Sequence, residues 1–163
     1  MCKKGKTIYQ TARLSTDMTQ EKVAEMLHIS MKSIGAYERG ETIPPDDIVC
    51  NMVTIYKAPW LAYTHLKFNN EVGKKYLPDI EFRELSANIL DLQLEMVEIT
   101  KSQCDIDTVG RDNKIDKDEQ PVWNDCMKKI EKLIGAAFAV LLSPLVPIQK
   151  EKTPVLEHRR LNG

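Results

Sequence analysis

Three histidines, four cysteines and one acidic loop are the groups in this 163-residue chain whose types and spacing could do chemistry. His28, His65 and His158 form neither an HxxxH nor an HExxH pair, so no helix offers two imidazoles to one zinc ion. Cys2, Cys50, Cys104 and Cys126 include no CxxC and no metal-ligand spacing. Cys50 and Cys126 read as buried structural thiols rather than redox sensors. The stretch Asp105–Glu119 hints at a calcium loop, but both registers are damaged. With Ile115 at the eighth position, Thr108 and Gly110 fill the first and third places, which need carboxylates. Starting at Asp105 puts Val109 at a ligand position. The segment from Asp105 to Gln120 is therefore read as a solvated polar loop, with no metal. There is no GxSxG, no glycine-rich phosphate loop and no nucleophile beside an evident base. The expectation is a protein that is not an enzyme and uses no cofactor.

The informative residues are instead those from Thr19 to Gly40. Thr19 is a good N-cap for a helix over Gln20–Leu27, in which Val23, Ala24 and Leu27 share one face. Ser30 caps a second short helix, with Ile34 and Tyr37 pointing inward and Gly40 ending it. Ala24 is small where two helix axes must approach closely, and Ile29 plugs the turn. This is helix-turn-helix spacing. Its physical logic is that a second helix, projecting from a compact support, fits a major groove about 12 Å wide.

The surrounding elements are helical too. Thr7 to Leu14 forms a first helix. Pro44 and Pro45 open a later one, with Ile48, Met52, Ile55 and Tyr56 as its buried stripe. Pro59 breaks it, and Trp60 to Phe68 makes a last short helix. Turn residues from Asn69-Asn70 to Pro78-Asp79 mark a linker at 70–79. Beyond it, Phe82, Leu85, Ile89, Leu92, Met96 and Ile99 are spaced 3, 4, 3, 4, 3, and Trp123, Met127, Ile130, Ile134, Ala137 and Leu141 are spaced 4, 3, 4, 3, 4. Two long helices of this kind make an antiparallel hairpin over 80–145, followed by a polar tail at 146–163. Two helices cannot bury so broad an apolar face, so a partner hairpin completing a four-helix bundle is expected, the alternative being that the hairpin folds back on the front domain of its own chain.

Charge and hydropathy narrow the classes further. The net charge is -1, which excludes a chain that coats nucleic acid regardless of sequence. Residues 1–69 carry nine Lys/Arg against seven Asp/Glu, and the rest of the chain fourteen against seventeen. The longest uncharged stretch, Leu133–Ile148, contains Pro144 and Pro147. It falls short of the roughly 20 apolar residues that span a bilayer, so no membrane partner is expected. Separated cysteines, and a start without an apolar run, give the expectation of a reducing cytoplasm.

Residues 7–66 resemble the phage-repressor and Cro-like helix-turn-helix family of transcriptional regulators. The resemblance rests on Thr19-Gln20-Glu21-x-Val23-Ala24, the Ile29-Ser30 turn exit, and Ile34-x-x-Tyr37-Glu38-Arg39-Gly40 with Pro44 beyond. It implies an all-α chain: a five-helix lambda-repressor-like DNA-binding domain over 1–69, followed by the long hairpin. It also implies roles. Gln20 matches a residue that clamps a backbone phosphate. Met31, Lys32 and Ala36 match outward positions that face base edges, and Lys32 can donate to guanine O6 and N7. Ser33 matches a neighbour that meets a phosphate or a base, and Arg39 a position near the backbone; with the cap Ser30 these complete the expected DNA-facing set. Arg13 and Glu38 match a partly buried ion pair. Two positions depart from the pattern: His28 stands where the turn usually has glycine, and Gly35 lies inside the second helix at a cost of about 1 kcal/mol relative to alanine. The expected partner is double-stranded DNA, bound by a homodimer at a pseudo-palindromic operator, with repression the expected outcome. The alternative is an adaptor or antitoxin-like module whose hairpin binds another protein.

Overall fold

The computed structural model of the chain describes residues 6–109, 111 and 114–143, and every regular element among them is a helix. The chain divides into two compact units between His65 and Leu66. The proposed tail at 146–163, together with Gly110, Asp112, Asn113 and Pro144, lies outside the described residues.

The front unit is built from α1 (Ile8–Leu14), α2 (Gln20–Leu27), α3 (Met31–Arg39), α4 (Asp46–Tyr56) and the start of α5 (Pro59–Asn69). Each of the first three opens on a hydroxyl cap. Thr7 accepts from the Gln10 amide, Thr19 from Lys22 and Ser30 from Ser33. α2, α3 and α4 end in the left-handed region, at His28 (φ 54°), Gly40 (φ 67°) and Lys57 (φ 51°). α4 starts later than the two prolines suggested. Pro44 precedes another proline, which pushes it out of the helical region, and Pro45 becomes an extended cap. Pro59 is the first residue of α5 rather than only the breaker of α4.

The core of this unit is aliphatic, with Ala12, Val23, Ile34 and Leu61 wholly inaccessible and Val49, Met52 and Tyr56 buried with them. Ile29 and Tyr37 pack partly against that cluster. The α4 stripe is rotated from the expected one: Val49 is buried, whereas Ile48 and Ile55 are half-buried. Cys50 shares the outer side and is exposed, which corrects the reading of it as a buried thiol; Cys126 is buried. A polar relay also pins α5. The Tyr9 hydroxyl meets His65 Nδ1 at 2.8 Å, and His65 Nε2 meets Asp46 Oδ1 at 3.0 Å.

The rear unit contains α6 (Glu71–Tyr76), α7 (Leu85–Lys101), α8 (Gln103–Val109) and α9 (Gln120–Leu141). α6 occupies most of the segment read as a linker. Asn70 Oδ1 caps it by accepting from the Val72 and Gly73 amides. A Cβ at Gly73 would sit 2.1 Å from the Leu66 carbonyl oxygen, so the turn tolerates only glycine. α8 corrects the reading of Asp105–Gln120 as one continuous loop: it continues as helix to Val109, which is buried. The polar residues of that stretch concealed one turn with an apolar side.

α7 and α9 form the antiparallel arms, about 26 Å and 33 Å long at 1.5 Å per residue. Phe82 precedes α7, so the first seam loses its opening member. Small and polar side chains are prominent among the buried residues of this unit. Asn88, Ser102, Cys126, Gly135, Ala139 and Ser143 are buried, while Leu85, Ile89, Met96, Ile134 and Leu141 of the two seams are exposed. Asn88, at 1% exposure, is the hub of the closure. Its Nδ2 donates towards the carbonyls of Arg83 and Ala139 and to Ser143 Oγ, and its Oδ1 accepts from the Arg83 amide. Asn88→Ala should lower the stability of the rear unit by about 1–3 kcal/mol, because it strands buried polar groups. Urea denaturation followed by far-UV circular dichroism measures it, and an unshifted midpoint would refute the role.

Candidate nucleic-acid interface

The site is assembled around one buried carboxylate. Glu38, on the inner side of α3, takes Arg13 Nε on Oε1 at 2.6 Å and Arg13 Nη2 on Oε2 at 3.0 Å. Both side chains are buried. Gln20 Nε2 donates to the same Oε2 at 2.8 Å, and Arg13 Nη1 donates to the Met18 carbonyl. Thr7 Oγ1 donates to the Glu38 backbone oxygen at 3.0 Å. One side chain of α3 is thus tied to α1 and to the first residue of α2. The Glu38 hydrogen bond holds the Arg13 guanidinium above its ordinary pKa against the opposing effect of burial. Burial, and after it the same Glu38 charge, pushes the Tyr56 phenol upward as well.

The turn between α2 and α3 is equally determined. His28 adopts the left-handed conformation that glycine usually supplies, and its amide donates to the Glu25 carbonyl at 3.2 Å. The Ile29 amide donates to Ala24 at 3.1 Å, closing the helix end.

This frame leaves the N-terminal end of α3 open. Met31, at 58% exposure, and Lys32 are exposed; Ser33 and Ala36 are half-buried. Ser30 Oγ and Ser33 Oγ lie 2.8 Å apart, while Ser30 also accepts from the Ser33 amide. One hydroxyl of such a pair donates to the other, which leaves the second hydrogen for an outside acceptor. At the other end of α3, Arg39 donates to both Glu41 carboxylate oxygens, at 2.6 and 2.8 Å.

Gly35 has a structural reason that the sequence did not reveal. A Cβ there would lie 2.7 Å from Arg39 Nη1, so the bare backbone makes room for a guanidinium folded back one turn. The i, i+4 spacing of Gly35 and Arg39 is the signal that could have found it. Glu41, the partner of that arginine, was also missed, because it lies beyond the helix end. Gln20, expected to point at a phosphate, is turned instead to the Glu38 carboxylate. The structure therefore brings Gln20, Arg13 and Glu38 together inside, and Ser30, Met31, Lys32 and Ser33 together outside.

Residues 10–58 match the Helix-turn-helix family model. The chain carries a helix-turn-helix domain of the phage-repressor and Cro-like kind. No curated protein and no solved structure gives a significant match. Proteins with this domain are DNA-binding transcriptional regulators, and the matched residues contain the caps, the left-handed turn and the Glu38 hub described above. Among the described residues, no helix is long and apolar enough to cross a membrane, and no His, Cys, Asp and Glu gather closely enough to hold a metal ion.

Three variants test this anatomy. Glu38→Ala should cost about 3–5 kcal/mol, since it leaves a buried guanidinium uncompensated, whereas Arg13→Met with Glu38→Leu should be far milder. Equal losses in urea melts would contradict the ion pair's role. Gly35→Ala should stabilise the domain by about 0.5–1 kcal/mol, because the added methyl displaces only the flexible end of Arg39. A fall in the thermal midpoint would show that the crowding is not relieved.

Proposed function

We propose that the protein is a transcriptional repressor that binds a pseudo-palindromic operator as a dimer. The observation carrying this reading is the exposed Met31–Lys32 end of α3, held by the buried Arg13–Glu38 pair and the half-buried Gln20. Lys32 reads guanine O6 or N7, and Met31 lies against a neighbouring base edge, where a thymine methyl offers apolar contact. Ala36, one turn further, is small enough for close approach to the groove floor. Ser30 and Ser33 use their remaining hydroxyl hydrogen on a phosphate. Arg39 reaches the backbone by exchanging Glu41 for phosphate. Gln20 acts at the start of α2, where the helix N-terminus favours an anion, with its amide oriented by Glu38.

In this reading, residues 1–69 engage one half-site and the hairpin over 80–145 joins two copies. The exposed aliphatic residues of α7 and α9 support that role. Two such domains address half-sites one helical turn of DNA apart, about 34–36 Å, or a multiple of that. Repression follows when the bound dimer occupies polymerase's path.

Selection of bound fragments from random DNA should return an inverted repeat, and its spacing reports the dimer geometry. On the selected site, Lys32→Ala should weaken binding by about 1–3 kcal/mol and relax preference at one base pair while leaving the dimer intact. Fluorescence anisotropy over a salt series provides the measurement. A mutant that binds as tightly as the parent would remove Lys32 from base readout. Absence of any enriched sequence would overturn the functional reading.

A further inference from the structure

We infer that the outward half of α7 is the surface on which two copies of this chain meet, antiparallel, with Gln93 on the two-fold axis. This deepens the dimer proposed above and depends on that reading only for the existence of the dimer.

The first support is the composition of the face. Leu85, Ile89, Leu90, Leu94, Met96 and Val97 are each 41–55% exposed. At about 100° per residue they fall within one half of the helix circumference, together with Ser86, Gln93 and Thr100. The carboxylates Asp91, Glu95 and Glu98 all fall on the other half. Lys101, at the C-terminal end, falls between Leu90 and Leu94 on the same half and is paired with Glu98 at 2.7 Å. Half of a 17-residue helix is thus free of carboxylate and rich in aliphatic surface. Gln93, Met96, Val97 and Thr100 line a shallow apolar groove along it. A solvated helix face would carry charge here, and a contiguous patch of this kind marks a contact surface.

The second support identifies the occupant. Gln93 is the midpoint of Leu85–Lys101. Counting outward from it in both directions, Leu90 corresponds to Met96, Ile89 to Val97 and Ser86 to Thr100. Turning the helix end for end therefore lays aliphatic on aliphatic, hydroxyl on hydroxyl and the amide on itself over Ser86–Thr100, and sets Leu85 against the stem of Lys101 at the ends. That self-complementarity is the requirement of an isologous two-fold interface. An unrelated partner would not require it. Ser86, Gln93 and Thr100 recur every seventh residue along the centre of the face, where an uncharged polar side chain fixes register. Gln93 can donate to, and accept from, its own counterpart across the axis. Parallel pairing would set the two Lys101 side chains beside each other and align the helix dipoles. The antiparallel arrangement separates those lysines by about 24 Å and opposes the dipoles.

The test is disulfide trapping in the full chain, with Cys2, Cys50 and Cys104 replaced by serine. Under mild oxidation, Gln93→Cys should form a covalent dimer by itself. Ser86→Cys should not link to itself, but should link when mixed with Thr100→Cys. Val97→Glu should halve the mass measured by light scattering. Self-linking of Ser86→Cys would indicate parallel pairing and overturn the proposal. So would a monomeric parent, or a Val97→Glu protein that remains dimeric. None of these measurements involves DNA, so a failed operator reading would leave the cross-links in place, and a monomer that still binds a half-site would refute only the interface.

Discussion

The front domain depends on one carboxylate placed where a carboxylate is costly. Glu38 is buried, and its two oxygens are occupied by three donors from α1 and α2. Buried ion pairs add little net stability compared with apolar replacements, since desolvation offsets most of the attraction. What this one supplies is direction. A hydrophobic core of Val23, Ile34 and Leu61 can slide or rotate by small amounts at little cost, whereas a bidentate guanidinium–carboxylate pair accepts one relative orientation. The helix that faces outward through Met31 and Lys32 is fixed by the residue on its opposite side. The supporting helix is fixed by the same atoms through Gln20.

The rear unit follows a different rule. Its two long helices are joined by Asn88, which donates to the Ala139 carbonyl and to Ser143, while Gly135 lets the Pro78–Asp79 segment approach α9 closely. Many of its large aliphatic side chains, Leu85, Ile89, Leu90, Leu94, Val97 and Ile134 among them, are exposed, while Leu92, Ile99 and Leu133 are half-buried. Exposing that much aliphatic surface forgoes part of the main favourable contribution to folding. The polar contact at Asn88 aligns the two arms, and the exposed aliphatic surface is what the proposed dimer would cover.

Much of the front domain was legible because its signals are local. Thr19, Ser30, Gly40 and the spacing of Val23, Ala24 and Leu27 each act within one helical turn, and the helices begin and end where those residues place them. The Arg13–Glu38 pair needed the family resemblance, since nothing in the spacing of residues 13 and 38 predicts contact. What stayed hidden was set by tertiary neighbours. Whether Val49 or Ile48 turns inward depends on where α4 starts, and two adjacent prolines leave that ambiguous. The direction of the Gln20 amide depends on a carboxylate 18 residues away. In the rear unit the heptads were visible, but periodicity specifies only that a face is apolar. It does not say whether that face meets its own hairpin or another one, and Asn88, which settles the first contact, interrupts the apolar pattern.

Asn88 has a further consequence, for the way the hairpin can come apart. Its partners, Arg83, Ala139 and Ser143, lie where the chain enters and leaves the two arms, at the end opposite the turn. That is the end from which paired helices ordinarily fray. A single amide therefore serves as a clasp across the open mouth. Any shortened version of the protein that stops before Ser143 takes one partner from the clasp and loosens that mouth, although both arms would still retain nearly all of their length.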